Sequence, residues 1–333
     1  MDIELLRERA RIIAMVRSFF IKKQYIETDT PLLAPDLIPE SCLEVFETQR
    51  LWPQGSKNQP QAYWLIPSPE VWMKRLIAKH RHSMFQICKC FRNSESTGHL
   101  HSPEFTMLEY YTMNANYMDS LEITEELFSF LLLEPLPFLN SVLDIKPPFE
   151  KISMDKAFIK LAGFSLLEAA ETKGGLEKEA RRLGLDPMPG LGIAELYDLI
   201  FIHAIEPSLP KQRPVVLMDY PAFVPCLARK SPNNKTVERW ELYLKGIELA
   251  NCFSEETCAQ EVKRFFETEK AEKQKHALVQ HKVDEDYWKL FNCREESGTE
   301  NGEEYSGVAM GLDRLIMALC GRSTIDSVLP FPV

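Results

Sequence analysis

The sequence predicts an α+β protein: a mainly antiparallel sheet with helices packed against it. Three observations lead there. Two β-rich runs, FQICKCFR (85–92) and EFTMLEYYT (104–112), flank a short polar loop and form one long hairpin. A second hairpin, WELYLKGIELANCF (240–253), turns at Lys245-Gly246. Few strand–helix–strand alternations occur, which argues against a doubly wound parallel sheet.

The elements run in this order. Residues 3–24 form an amphipathic helix, with Ile3, Leu6, Ala10, Ile13, Val16 and Phe20 at spacings of three and four. YIETDTPLLAP (25–35) is extended, since Pro31 and Pro35 exclude a helix. Residues 46–66 give two strands around the loop QGSKNQP, and 69–80 a second helix after the tripeptide SPE. MDSLEITEELFSFLLL (118–133) is helical. A mainly helical insertion covers about 150–210 and carries no catalytic pattern. PVVLMDYP (214–221) reads as a buried strand, and 255–291 as a long charged helix. A polar loop, REESGTENGEEYSG, precedes a last strand and helix in VAMGLDRLIMALCG.

The 333 residues are 45% hydrophobic and 26% charged, enough to bury a large core without staples. A net charge of −10 leaves no global basic field for a phosphate backbone. The eight cysteines form no CxxC pair, so a zinc ribbon is not expected and reduced thiols are. The N-terminus MDIELLRERA is no signal peptide and no apolar run reaches membrane length, so a cytoplasmic protein is expected. Neither GxGxxG nor a P-loop is present, so side chains must hold any nucleotide.

Chemistry concentrates in the two hairpins. A two-residue turn at Lys245-Gly246 pairs Tyr243 with Glu248 and Glu241 with Ala250, placing Glu241 and Glu248 on one face. Two such carboxylates repel unless a cation lies between them, and Mg²⁺ suits that demand; a solvated outer face is the alternative. Asn251 and Glu255 have the opposite parity to Glu248, so a bulge is needed for all four to converge. In the first hairpin, Arg92 ends a strand, where its planar fork suits a phosphate. Glu109 and Tyr111 share a face and suit an ammonium; an exposed polar face is the alternative. The alternate histidines of KHRH and GHLH do not make a metal site the favoured reading. Arg314, opening the last helix after a glycine, can point back over the sheet.

Taken together and in this order, these pieces resemble the catalytic core of a class II aminoacyl-tRNA synthetase of the lysyl branch. IETDTPLLAP is similar to its motif 1, FRNSESTGHLHSPEFTMLEYY to its motif 2, and GVAMGLDRLIMAL to its motif 3. SPEVWMKRL and ERWELYLKGIELANCFSE resemble two further lysine-branch signatures. The resemblance implies an antiparallel sheet with flanking helices, a homodimer through motif 1, and ATP with Mg²⁺. It gives Arg92 the α-phosphate and Arg314 the γ-phosphate, stacks Phe105 on adenine, and places Asn93, Ser94, Ser102, Leu249 and Gly311 around the nucleotide. Glu241 and Glu248 hold the metal. On the amino-acid side, Glu70, flanked by Ser68 and Pro69, meets the α-side amine. Glu255 and Tyr111 hold the distal ammonium, with Asn251, Glu109 and Ala309 nearby.

Motif 1 begins near residue 26, after one helix, so the expectation is a single catalytic domain over 1–333 without an anticodon-binding domain. That shape resembles the elongation factor P (R)-β-lysine ligase family, whose members activate (R)-β-lysine and pass it to a lysine of elongation factor P. Ala309 stands where lysyl synthetases have glycine and the ligases alanine. A methyl there biases selection toward the β-amine by roughly 1–3 kcal/mol. Acceptor tRNA and membranes are not expected partners. The chain departs from the family text at Ser94, with Glu95 one step late, and at His99, Ser102 and Cys252. Those departures leave open a non-catalytic, amino-acid-binding paralogue, and a lysine ligase for tRNA or another acceptor.

Overall fold

The computed structural model describes residues 1–94, 98–139, 143–291 and 304–332. Its elements are α1 (Ile3–Lys22), β1 (Ile26–Glu27), β2 (Leu33–Ala34), β3 (Glu47–Arg50), β4 (Gln61–Leu65), α2 (Glu70–His80), β5 (Met84–Phe91), β6 (Glu104–Met113) and α3 (Tyr117–Leu131). Next come β7 (Glu150–Ser153), α4 (Met154–Ala162), α5 (Leu166–Glu171), α6 (Gly175–Arg182), α7 (Ile193–Ile200), β8 (Val215–Pro221), β9 (Thr236–Leu244), β10 (Ile247–Ser254), α8 (Ala259–His276), β11 (Tyr305–Gly311) and α9 (Leu312–Leu319). Eight strands form one sheet in the order β1-β5-β6-β11-β10-β9-β8-β7; β2, β4 and β3 form a small second sheet. The fold is α+β, as the sequence predicts. The large sheet is mixed rather than wholly antiparallel, because the edge pairs β1–β5 and β7–β8 run parallel.

One sheet face is sealed by helices. Phe85, Leu108, Tyr110, Val308, Met310, Trp240 and Leu242 pack in one core with Ile12, Val16 and Phe20 of α1, Leu121 and Phe128 of α3, and the apolar side of α9. Burial of such side chains, at about 25 cal/mol per Å² of apolar surface, is what fixes α1 and α3 to the sheet. The other face stays open at its centre and is walled by separate elements. Helices α4–α7 build their own core against β8 and β9. The small sheet, α2 and α8 build a third core.

Two expected elements differ. The stripe read along the first helix is rotated: Ile3 and Leu6 are exposed, whereas Leu5, Glu8, Arg9, Ile12, Val16, Phe19 and Phe20 are buried. Periodicity missed this because two charged residues lie on the inner face. Arg9 reaches Asp313 at 2.6 Å and donates to the Val328 carbonyl and Thr106 Oγ1 at 3.2 Å each; Glu8 pairs with Arg11. The long helix expected over 255–291 ends at His276. Beyond it the chain is captured by tertiary partners. The Leu278 and Val279 amides donate to the Glu44 carboxylate at 2.8 and 3.1 Å, and Leu37 N donates to the Lys282 carbonyl at 2.9 Å. Val283, Tyr287 and Phe291 are then buried.

The seven described cysteines are free thiols; Cys293, like the 294–303 part of the polar loop, lies outside the described residues. Among the described residues no helix is long and apolar enough to cross a membrane.

Candidate active site

Strand alternation puts every second residue of five neighbouring strands on the open face. The register aligns one row across the sheet: Gln86 opposite Glu109, Glu109 opposite Ala309, Ala309 opposite Asn251, and Asn251 opposite Glu241. The next row runs Tyr111, Gly307, Phe253, Arg239. Lys245 and Gly246 both have positive φ, +58° and +76°, the backbone of a tight two-residue hairpin turn. Glu248 therefore pairs with Tyr243 as expected. Glu241, however, pairs with Asn251 rather than Ala250, because a β-bulge at Leu249 inserts one residue. The bulge reverses the parity of the residues beyond it, so Glu248 and Asn251 share the face with Glu241. Cys252 is thereby turned to the opposite face, where it is buried with its Sγ 3.3 Å from Ser306 Oγ. The bulk it adds lies in the core and not in the site.

A cavity of about 1100 Å³ opens over these rows. Arg92, Ser102, Phe105, Glu241, Glu248, Leu249, Gly311 and Arg314 line one part of it. The Arg92 guanidinium lies 5.3 Å from the Phe105 ring centroid, a cation over a π face. Arg314 is fixed between the hairpins: Nε donates to the Leu100 carbonyl at 3.2 Å and Nη1 to the Glu248 carbonyl at 3.0 Å. Its Nη1 stands 3.9 Å from the Glu248 carboxylate. Ser102 Oγ is buried without a hydrogen-bond partner.

Burial, and then repulsion from Glu241, push the Glu248 carboxyl up to about 7 against the pull of Arg314. A divalent cation would relieve that repulsion, so the donor set fits Mg²⁺. No cluster of three His, Cys, Asp or Glu suited to a metal occurs among the described residues, so phosphate and water oxygens must complete the shell. The two carboxylates are not equivalent ligands. Glu241 already accepts from Arg239 at 2.5 Å and from the Tyr220 and Tyr243 hydroxyls at 2.6 Å each. Glu248 is the freer ligand.

Glu70, Asn251 and Ala309 line the next part of the cavity. Glu109, Tyr111 and Glu255 lie deeper, each no more than 5% exposed. Tyr111 donates to Glu109 at 2.6 Å. Lys74 bridges Glu70 at 2.5 Å and Glu255 at 2.7 Å. Burial, opposed by Lys74 and reinforced by Glu70, raises Glu255 to about 7. Burial, and then Glu70, raise Glu109 well above the usual carboxylate range.

Besides Glu109, Tyr111 and Glu255, which lie beneath it, four of the expected residues are not on the cavity wall: Ser68, Pro69, Asn93 and Ser94. Ser68 and Pro69 precede α2, where the Pro69 carbonyl accepts from Trp72 and Met73. Asn93 is turned toward the neighbouring loop: its Oδ1 accepts from Ser94 N at 2.9 Å, and its Nδ2 donates to the Val45 carbonyl at 3.4 Å. Ser94 is exposed with φ +54°. Glu95 lies outside the described residues, and the His99 carbonyl accepts from Ile325 N at 2.8 Å.

Sequence reasoning missed several contributors. Lys74 sits one turn after Glu70, and that (i, i+4) spacing was a readable signal. Gly307 is required by proximity: a Cβ there would lie 2.4 Å from Glu255 Oε1 and 2.5 Å from the Tyr111 ring. The Arg239 guanidinium is largely withdrawn from solvent, 4.4 Å from the Tyr220 ring centroid. Residues 192–195 and Asp198, in the segment that showed no catalytic pattern, form a cavity wall. Glu40, from the loop before β3, also lines it; burial and Glu70 raise its carboxyl to about 7.

A family model described as tRNA synthetases class II (D, K and N) matches residues 3–333. The chain is 35% identical to the elongation factor P–(R)-β-lysine ligase of Haemophilus influenzae strain PittGG, covering 100% of this chain and 96% of that protein. It is 34% identical to the ligase of the same name from Avibacterium paragallinarum, with the same coverage. The Vibrio atlanticus (strain LGP32) counterpart is 32% identical over 99% of this chain and 96% of its own length.

Proposed function

Since the chain belongs to the class II tRNA synthetases (D, K and N) and matches elongation factor P–(R)-β-lysine ligases from end to end, we propose that it is an ATP-dependent ligase which activates (R)-β-lysine and transfers it to elongation factor P. The end-to-end match carries this reading, and the site chemistry supports it. One part of the cavity offers two guanidiniums and an aromatic face for a nucleotide triphosphate. The adjoining part offers carboxylates and a phenol for a diamino acid.

The reaction needs no covalent enzyme intermediate. The carboxylate of the amino acid attacks the α-phosphorus of ATP, the bond to the β-phosphate oxygen breaks, and pyrophosphate leaves. A lysine amine of the acceptor then attacks the acyl carbon, and AMP departs with the bonding electrons. In this reading Arg92 holds the α-phosphate and Arg314 the γ-phosphate, both positioned before reaction so that little reorganisation is needed. Phe105 stacks on adenine, while Ser102 Oγ, Leu249 and Gly311 contact the nucleotide. Mg²⁺, when bound at Glu248 with Glu241 behind it, supplies positive charge to the phosphate oxygens. Glu70 receives the amine nearer the carboxylate. Glu255 and Tyr111 receive the distal ammonium, with Asn251 and Glu109 beside them. Ala309, between Glu109 and Asn251 in the row, narrows the floor where an α-amine would lie. Pairing of two copies through the motif 1 region belongs to the same reading. It is supported by the exposed Ile3, Leu6, Ile21, Ile26, Leu32 and Leu33 along α1 and the strands after it.

The test is ATP–pyrophosphate exchange across lysine isomers, followed by intact-mass analysis of elongation factor P incubated with the enzyme. Exchange should favour (R)-β-lysine, and the acceptor should gain one β-lysyl group. Strong preference for α-lysine together with acylation of tRNA would overturn the assignment.

A further inference from the structure

Beneath the amino-acid end of the cavity lies an arrangement to which the proposed function gives no role. Lys74 is 2% exposed and pairs with Oε1 of Glu70 and with Oε2 of Glu255. These two carboxylates belong to elements far apart in the chain, α2 and the end of β10. They are also the two to which the proposed function gives the two amines of the substrate. Their remaining oxygens, Oε2 of Glu70 and Oε1 of Glu255, are not engaged by the lysine. Gly307 packs directly against Glu255 Oε1, so the carboxylate is held from both sides.

We propose that Lys74 is the positioning residue that makes this pocket select a diamino acid: it fixes the span between Glu70 and Glu255 and favours the ionised form of Glu255. The inference rests on the proposed function and deepens it. Lys74 lies between the Glu70 and Glu255 carboxylates and offsets their mutual repulsion, which leaves each with an oxygen to present to one ammonium group. Without the lysine, three carboxylates would share a buried site with no internal cation, and protonation would remove the attraction for the second ammonium.

The surroundings bear on this charge state. Burial works against the Lys74 charge, but Glu255 and Glu70 outweigh it and hold the ammonium protonated. The Tyr287 and Tyr305 phenols face it from the segment after α8 and from β11. Glu109 and Tyr111 approach from β6, and Glu40 from the loop before β3. Lys74 opposes the burial that raises Glu255 to about 7, so its removal moves that carboxyl further up.

Lys74→Met tests the proposal in ATP–pyrophosphate exchange. The substrates are (R)-β-lysine and a β-amino acid of equal length lacking the distal amine. The expected result at pH 7 is a KM for (R)-β-lysine raised at least tenfold, with the KM for ATP unchanged. The preference for diamine over monoamine should fall by a similar factor. The acid limb of kcat/KM should move up by about one pH unit, so that much of the loss is recovered at pH 8.5. Lys74→Gln, which keeps donors for both carboxylates but no charge, carries the same expectation if the methionine variant does not fold. Lys74→Arg should hold the acid limb near its wild-type position. A neutral variant with wild-type selectivity and an unmoved acid limb would overturn the proposal, and so would equal losses for ATP and the amino acid. If the wild-type enzyme exchanges with no diamino acid, the underlying function fails instead, and the two failures are distinguishable.

Discussion

Gly307→Ala puts the geometry of the distal pocket to a quantitative test. An added Cβ at this position would stand 2.4 Å from Glu255 Oε1 and 2.5 Å from Tyr111 Cε1, where ordinary contact begins at 3.4 Å. Both groups would have to retreat by about 1 Å. Neither can do so freely: Glu255 is tied to Lys74 and Tyr111 to Glu109, and all four are buried. Overpacking of a filled interior costs about 1–3 kcal/mol. If half of that appears as lost substrate positioning, the KM for the diamino acid rises by roughly 2- to 12-fold, because 1.4 kcal/mol is a factor of ten. The rest appears as a lower urea midpoint. The assay is pyrophosphate exchange with the amino acid and ATP varied separately, beside urea melts of the substrate-free protein. ATP affinity should hold, since Arg92 and Arg314 act at the other part of the cavity. A variant with wild-type stability and wild-type KM for the amino acid would refute the packing argument.

Other perturbations give distinct signatures. Arg314→Ala removes a guanidinium held by two carbonyls over the sheet and should lower the exchange rate by about 10²–10³-fold at saturating substrates, the size of losing one fixed charge-stabilising donor. Asp313→Ala acts on stability instead, because Asp313 is 1% exposed, pairs with Arg9 and accepts from Thr106 N at 2.6 Å. Leaving Arg9 buried and unpaired should cost about 3–5 kcal/mol, read from denaturant melts. The substrate-free protein should also show an inverted acid response. Glu40, Glu248 and Glu255 each have a folded-state carboxyl raised to about 7, above the unfolded value of 4.5. Between those values the folded state binds more protons, so stability falls as pH rises from about 5 to 7 and is regained on acidification. A urea midpoint that climbs steadily with pH over that window would contradict this. Saturating ATP, Mg²⁺ and diamino acid should flatten the dependence, since their charges replace the protons.

The elements that lay the foundation of the site were legible in the chain because their signals are local. The β-rich runs 85–92 and 104–112 and the hairpin over 240–253 marked the central strands, and Lys245-Gly246 marked a turn that positive φ closes. Those features also put Glu241 and Glu248, and Glu109 and Tyr111, on shared faces. Motif order carried the resemblance to the family. Periodicity failed wherever a distant partner decided the outcome. Arg9 and Glu8 occupy the inner face of α1 because Asp313, Thr106 and Arg11 satisfy them. The expected long helix stops at His276 because Glu44 and Leu37 draw the chain beyond it into strand-like contacts.

The amino-acid sequence by itself determined the strand periods, the hairpin turn and the residue types able to bind a triphosphate and a diamine. Tertiary structure alone decided their convergence. The bulge at Leu249 brings Asn251 into line with Glu241, Lys74 joins Glu70 to a carboxylate 185 positions away in the chain, and Gly307 leaves room for both Glu255 and Tyr111. The physical reason is that alternation and turn chemistry are properties of a few consecutive residues. Register, buried charge pairing and close approach are properties of surfaces that meet only once the chain has folded.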